Sequence, residues 1–257
     1  MNLFDLSTKV AVITGGNGGI GLGIATAMAQ HGARVVIAAR NTEKSAQAAR
    51  QLRAAGLDAV EVELDVLSEQ SIAVMVEQTL AKYGRIDILV NNAGVNVLKV
   101  ADQFSAADWR QVIDTNLVGA YQASAAVYPH MVSGGGGKII NISSLTAIFG
   151  TRRSLPYGAS KSGLVQLTKS LAVAWAADNI QAYAILPGWV ETEMTAALRD
   201  NEDSEIQQIY QSITDRIPAR RWATPGDIAG AAVFLASKAA DYVTGAVLAV
   251  DGGYSAA

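Results

Sequence analysis

The chain has 257 residues, 50% of them hydrophobic and 17% charged, which suits one large soluble core. Its net charge of −3 gives no electrostatic reason to bind nucleic acid or an anionic membrane. With no cysteine, disulfides and a thiolate nucleophile are both excluded. His31 and His130 fall near the ends of predicted helices, and no cluster of metal-ligand residues is visible, so no metal is expected. Neither a leader-like start nor an apolar run of ~20 residues is present, so a cytoplasmic location is expected.

Along the chain, short β-branched runs alternate with longer Ala-rich stretches of helical periodicity, the pattern of βαβ units around a parallel sheet. The pattern predicts strands at 9–13, 34–38, 59–64, 86–90, 138–142, 180–186 and 246–250. Helices are predicted at 19–31, 42–55, 69–83, 105–130, 157–177 and 225–237. The fold class is therefore α/β, one doubly wound domain over 1–257 with a seven-stranded parallel sheet flanked by helices. Residues 191–217 are rich in Glu, Gln, Thr and Asp with few strong core positions, and read as a flap over a ligand.

Three stretches carry chemistry. The first strand runs into Thr14-Gly15-Gly16-Asn17-Gly18-Gly19-Ile20-Gly21 and then a helix. Strand, glycine turn and helix together make a dinucleotide site, because glycines let the backbone approach a pyrophosphate at a helix N-terminus. The second stretch is Tyr157-Gly158-Ala159-Ser160-Lys161, which sets a phenol and an ammonium one helical turn apart. An ammonium beside a phenol favours phenolate and lowers the tyrosine pKa towards the working range. The third is Ser144, thirteen residues before Tyr157 at the end of a predicted strand, where a hydroxyl can hold a substrate oxygen.

These residues, with Asn91-Asn92-Ala93-Gly94, Asn116, Pro187-Gly188-Trp189-Val190-Glu191-Thr192 and Asp251-Gly252-Gly253, resemble the short-chain dehydrogenase/reductase family over essentially the whole chain. The resemblance implies a Rossmann-type domain and reversible hydride transfer between a nicotinamide and a ketone or secondary alcohol. It makes Tyr157 the acid/base and Ser144 the holder of the reacting oxygen. Lys161 tunes the tyrosine and binds the nicotinamide ribose. Asn116 distorts its helix and helps hold a water that links Lys161 to solvent.

For the cofactor it implicates Gly15, Asn17, Gly18, Gly19 and Ile20, then Arg40 and Asn41, and Asp65 with Val66 at the adenine. Asn92, Ala93 and Gly94 follow, with Asn91 near the ribose-side backbone, and Pro187, Gly188, Val190 and Thr192 lie around the nicotinamide carboxamide. The second predicted strand decides the cofactor. It ends Ala38-Ala39-Arg40-Asn41, without the carboxylate that binds an NAD ribose and with a guanidinium suited to phosphate. NADP(H) is favoured; NAD(H) stays open, because Asn17-Gly18 adds no second basic residue to the glycine loop and Arg40 could stack on adenine.

Asn96, Ser144, Leu145, Ile148, Phe149 and Trp189 are expected to wall the substrate pocket. Arg152 and Arg153 read as a solvated pair. As a whole the chain is similar to dehydrogenases of gluconate, deoxygluconate or glucose, so the expected partner is a small carbonyl or alcohol. The alternative is a 3-oxoacyl-carrier-protein reductase, weakened because Ser133 to Gly137 and Ala176-Ala177-Asp178 offer no basic residues to an acidic carrier. A non-catalytic dinucleotide sensor is a distant alternative, since all four catalytic positions are kept. The resemblance also implies a homotetramer. The predicted helix at 157–177 is apolar on two sides (Leu164, Leu167, Leu171 and Trp175; Val165 and Ala172), and Tyr254 reads as an aromatic that a partner chain buries.

Overall fold

A computed structural model describes residues 2–257. Seven strands are present: β1 (Val10–Thr14), β2 (Arg34–Ala39), β3 (Ala59–Glu63), β4 (Ile88–Asn91), β5 (Gly137–Ile142), β6 (Ile180–Pro187) and β7 (Val247–Val250). They form one sheet in the order β3-β2-β1-β4-β5-β6-β7, parallel throughout. Strand order reverses between β1 and β4, so the crevice at the carboxyl ends of these two strands is where a ligand is expected.

The helices are α1 (Gly19–Gln30), α2 (Thr42–Ala54), α3 (Glu69–Tyr83), α4 (Ala106–Ile113), α5 (Gly119–Ser133), α6 (Leu155–Trp175), α7 (Ala196–Arg199), α8 (Ser204–Arg216) and α9 (Pro225–Ala236). Residues of the inner strands β1 and β4 are buried on both faces because helices cover both. Ala11 and Ile13 of β1 face Ile24 and Met28 of α1, Leu52 of α2 and Ile228 of α9. Val10 and Val12 point the other way, towards Met75 of α3, Val127 of α5 and Leu171 of α6. The period-2 alternation of one strand thus feeds two cores.

Polar residues set the helix starts. Asn41 caps α2 and Ser68 caps α3, while Ser105 with Asp108, and Thr224 with Asp227, close capping boxes on α4 and α9.

One expectation changes. The helix predicted at 105–130 is broken in character: a π-helical turn, Asp114–Val118, separates α4 from α5, and α5 runs on to Ser133. Hydrophobic periodicity could not reveal it, since one inserted residue barely disturbs a helical pattern. The segment 191–217 holds a short 3-10 turn, α7 and α8, with no fully buried residue in α8. Tyr210 of α8 stacks on Trp222 at 4.7 Å, and Trp189 lies 5.1 Å from Trp222.

Candidate active site

The carboxyl ends of β4 and β5, the π turn and the start of α6 converge on four side chains. Asn116 sits in the π turn and is buried. Its amide nitrogen donates to the Val95 carbonyl at 2.9 Å and the Ser160 hydroxyl at 3.0 Å, while its oxygen accepts from the Val95 N–H at 2.8 Å. One side chain therefore ties the segment after β4 to α6. A Cβ on Gly94 would lie 3.2 Å from the Asn116 oxygen and 3.6 Å from Lys161 Nζ, so the backbone after β4 passes close against both.

Lys161 is 4% exposed and donates from Nζ to the Ile142 carbonyl at 2.7 Å. Burial lowers its pKa from 10.5 to about 8. Nζ stands 5.5 Å from the centre of the Tyr157 ring. Burial raises the Tyr157 pKa, and the neighbouring Ser144 hydroxyl opposes that rise. The expected lowering by the ammonium is thus not what governs the phenol here: enclosure pushes both groups towards their neutral forms. Ser144 caps a 3-10 turn, its Oγ accepting from the Thr146 N–H at 3.1 Å, which leaves its own O–H free to donate. Ser143 Oγ donates to the Lys161 carbonyl at 2.8 Å and so fastens α6 to the end of β5.

At the glycine turn, Gly15 and Gly19 have φ of +63° and +49°, conformations that side chains disfavour. A Cβ on Gly21 would strike the Gly15 carbonyl oxygen. Gly18, the N-cap of α1, supplies no side-chain cap, so the first-turn N–H groups face the turn without a side-chain acceptor. Exposed Arg40 stands at the end of β2. Uncapped N–H groups, close backbone approach and a nearby guanidinium fit a dinucleotide pyrophosphate and its phosphate-bearing ribose.

Several residues implicated from sequence have work of another kind. Asn17 donates to the Asn41 carbonyl at 3.3 Å and the Ser45 hydroxyl at 3.1 Å, tying the glycine turn to α2. The Asn41 side chain is the α2 cap, accepting from the Lys44 N–H. Asn92 donates to the Thr14 and Gly15 carbonyls, each at 3.0 Å, and clamps β4 to the turn. The Asn91 side chain is buried in the core, donating to Ser124 and Asn141. Asp65 accepts from the Leu67 N–H in a tight turn, and Val66 is buried against Gly119. Ile20 packs on the core behind the turn, and the Ala93 N–H donates to Thr14 Oγ1. Pro187 ends β6, Gly188 bonds to the Val250 carbonyl, Val190 is buried and Thr192 opens the 3-10 turn of 193–195.

Among the pocket candidates, Asn96 donates to Ser154 at 3.4 Å, and Ile148 and Phe149 are exposed. Leu145 turns into the core against Ala184 and Leu186, and Trp189 turns towards Trp222. Aromatic and leucine side chains beside a strand end go where the packing vacancy is, which spacing alone does not disclose. Arg152 and Arg153 are exposed. Tyr254 is half-buried within its own chain, edge-on to Phe149 at 6.1 Å and under the Arg216 guanidinium at 4.8 Å. Sequence reasoning missed Thr146, Arg216 and Lys44. The only signal available for Lys44 was its place three residues after the α2 cap.

Comparison with known proteins places this geometry. A family model described as Enoyl-(Acyl carrier protein) reductase matches residues 15–255. The 2-dehydro-3-deoxy-D-gluconate 5-dehydrogenase of Escherichia coli (strain K12) is 40% identical over 257 residues, covering 100% of this chain and 99% of its own. The 3-oxoacyl-[acyl-carrier-protein] reductase of Chlamydia muridarum is 39% identical, with 96% of this chain and 98% of the relative covered. A crystal structure of a gluconate 5-dehydrogenase from Burkholderia cenocepacia J2315, in complex with NADP and tartrate, superposes with a TM-score of 0.93. It is 39% identical and covers 100% of this chain and 98% of that one. Similarity of this extent, over a sheet of this order, makes the chain a member of the short-chain dehydrogenase/reductase family, an NAD(P)-dependent oxidoreductase acting on CH–OH groups.

Proposed function

We propose that this enzyme interconverts a small sugar acid of the gluconate or deoxygluconate type and its keto form, with NADP(H) as the preferred cofactor. The observation that carries the substrate class is that, of three buried side-chain oxygens without a hydrogen-bond partner among the described residues, Asn91 Oδ1 lies in the core but Asn96 Oδ1 and Thr146 Oγ1 belong to the segments that border the site. Thr146 is two residues from Ser144, and Asn96 two residues beyond the Gly94 that approaches Lys161. A buried polar atom left unpaired costs about 1–3 kcal/mol. The hydroxyls of a polyol relieve that cost, whereas an alkyl chain does not. The gluconate and deoxygluconate enzymes among the relatives support the same class, and the 3-oxoacyl-carrier-protein reductase is the alternative.

Each group has a defined task. The glycine turn and the α1 N-terminus hold the pyrophosphate, Arg40 meets the adenosine phosphate, and Lys161 approaches the nicotinamide ribose. When bound, the nicotinamide supplies or accepts the hydride. Ser144, with its free O–H, holds the reacting oxygen. Tyr157 gives that oxygen its proton in reduction and removes it in oxidation; burial keeps the phenol protonated and ready to donate. Asn116 positions Lys161 and Tyr157 through its bond to Ser160, whose hydroxyl in turn donates to the Tyr157 carbonyl at 2.7 Å. The segment 191–217 acts as a flap over the substrate.

The test is absorbance at 340 nm with gluconate, deoxygluconate, other polyols, ketones and an acyl thioester, using both cofactors. Sugar acids should be turned over best, and Tyr157→Phe should lower turnover by about 10²–10⁴. A preference for the acyl thioester would reject the substrate class, and near wild-type turnover in Tyr157→Phe would reject the tyrosine's role.

Association into a tetramer is part of the same proposal. Val173, 84% exposed, Tyr121 and Val118 leave apolar surface on the α5 and α6 layer, and Tyr242 is fully exposed near β7. Two such patches on one subunit favour two interfaces.

A further inference from the structure

A basic side chain stands against the glycine loop, although the loop itself contains none. Lys44, in the first turn of α2, reaches over Gly18: a Cβ built on that glycine would lie 2.9 Å from Lys44 Nζ and 3.2 Å from Cε. The ammonium therefore occupies the space that a side chain at position 18 would claim. Its position is held from two directions. Asn17 fastens the loop to the Asn41 carbonyl and to Ser45, and Asn41 caps the helix on the Lys44 N–H. Glu193, at the start of the segment 191–217, accepts from Nζ through both carboxylate oxygens at 2.6 and 2.7 Å. Arg40 lies at the end of β2, just before the same cap.

We propose that Lys44 is the second cation for the 2′-phosphate of NADP(H), acting beside Arg40, and that Glu193 competes with this phosphate for it. This rests on the NADP(H) reading above. The Lys44–Glu193 pair is open to water, with side chains 35% and 78% exposed. Exposed pairs of this kind are weak and screened by salt, so a dianionic phosphate with three acceptor oxygens can displace a single carboxylate. Lysine suits the role as a flexible point charge, while the planar Arg40 guanidinium fixes orientation. A ribose without the phosphate offers no charge with which to break the pair. Lys44 then stays on Glu193 and contributes nothing to NAD(H). Discrimination arises from both groups: Lys44 attracts the phosphate, and Glu193 holds Lys44 back until a phosphate displaces it.

Binary cofactor binding, followed by nicotinamide fluorescence without substrate, tests the assignment. Lys44→Gln should weaken NADPH by about 10- to 100-fold, the range for losing a charged hydrogen-bond partner, and leave NADH within about twofold. Glu193→Gln should tighten NADPH, and that gain should vanish in the Lys44→Gln background. The difference between wild type and Lys44→Gln should shrink as salt is raised. Equal weakening of both cofactors, no weakening of either, or a Glu193→Gln gain that persists without Lys44 would overturn the proposal. Arg40→Leu separates the two levels of the argument. If Arg40→Leu loses NADPH preference and Lys44→Gln keeps it, only the role of Lys44 fails. Tighter binding of NADH than NADPH by the wild type, with Arg40→Leu neutral, would reject the cofactor reading and this inference together.

Discussion

Replacing Lys161 by methionine should change how the stability of the cofactor-free protein depends on pH. The side chain is 4% exposed and its ammonium has the Ile142 carbonyl as a neutral partner. Burial lowers the pKa from 10.5 to about 8, a difference that corresponds to on the order of 3 kcal/mol against the charged form. Below about pH 8 both folded and unfolded chains carry the proton, and the native state bears that whole cost. Between about 8 and 10.5 the unfolded chain keeps its proton while the folded chain has released it. Wild-type stability therefore gains from this residue as pH rises through the window, by up to about 1.4 kcal/mol per pH unit. Above 10.5 both states are neutral and the contribution levels off.

Methionine has no proton to exchange, so Lys161→Met lacks this slope. Urea unfolding of both proteins from about pH 7 to about 10.5 measures it. Subtracting one profile from the other removes titrations common to both, including those of Tyr83 and Tyr183, which burial raises. The advantage of the variant over wild type should fall by on the order of 3 kcal/mol across the range. A difference that stays constant with pH would show that Lys161 is not held in a desolvated site, and would refute the account of how it is tuned.

Two further outcomes follow from the site and the surface. The double change Ala39→Asp with Arg40→Leu should move cofactor preference towards NAD, because it removes a phosphate partner and adds a charge that phosphate repels; steady-state kinetics showing that wild type already prefers NAD would reject this. Light scattering at micromolar protein should report a mass about four times that of the 26.8 kDa chain, and a mass near one chain would reject the tetramer.

Residue type and order determined a great deal by themselves. Alternating apolar runs set seven strands and the covering helices, because both faces of a parallel sheet must be buried and few other patterns do that. The glycine turn, the Tyr157–Lys161 spacing and Ser144 at a strand end were legible because each depends on local geometry: a turn, one helical pitch, the end of a strand. The structure brings Asn116, Ser144, Tyr157 and Lys161 around the ends of β4 and β5, among contacts that link positions as distant as Val95 and Asn116.

Only tertiary packing decided where side chains of ambiguous character went. Trp189 follows the strand end that would aim it at a ligand, yet it lies tilted against Trp222, which Tyr210 stacks on. Tyr254, near the chain end, found Phe149 and Arg216 within its own subunit. Asn92 binds carbonyls of the glycine turn, Asn17 binds the Asn41 carbonyl and Asn41 caps α2, since crowded backbone groups must find partners somewhere. The π turn is invisible to periodicity, and Asn116 within it accepts from the Val95 N–H, on another part of the chain. Lys44 and Glu193 are separated by 149 positions, and nothing local to either names the other. Their meeting over Gly18 exists only because the parallel sheet puts the start of α2 and the segment after β6 at the same carboxyl end of the strands, where a missing Cβ leaves room for an ammonium.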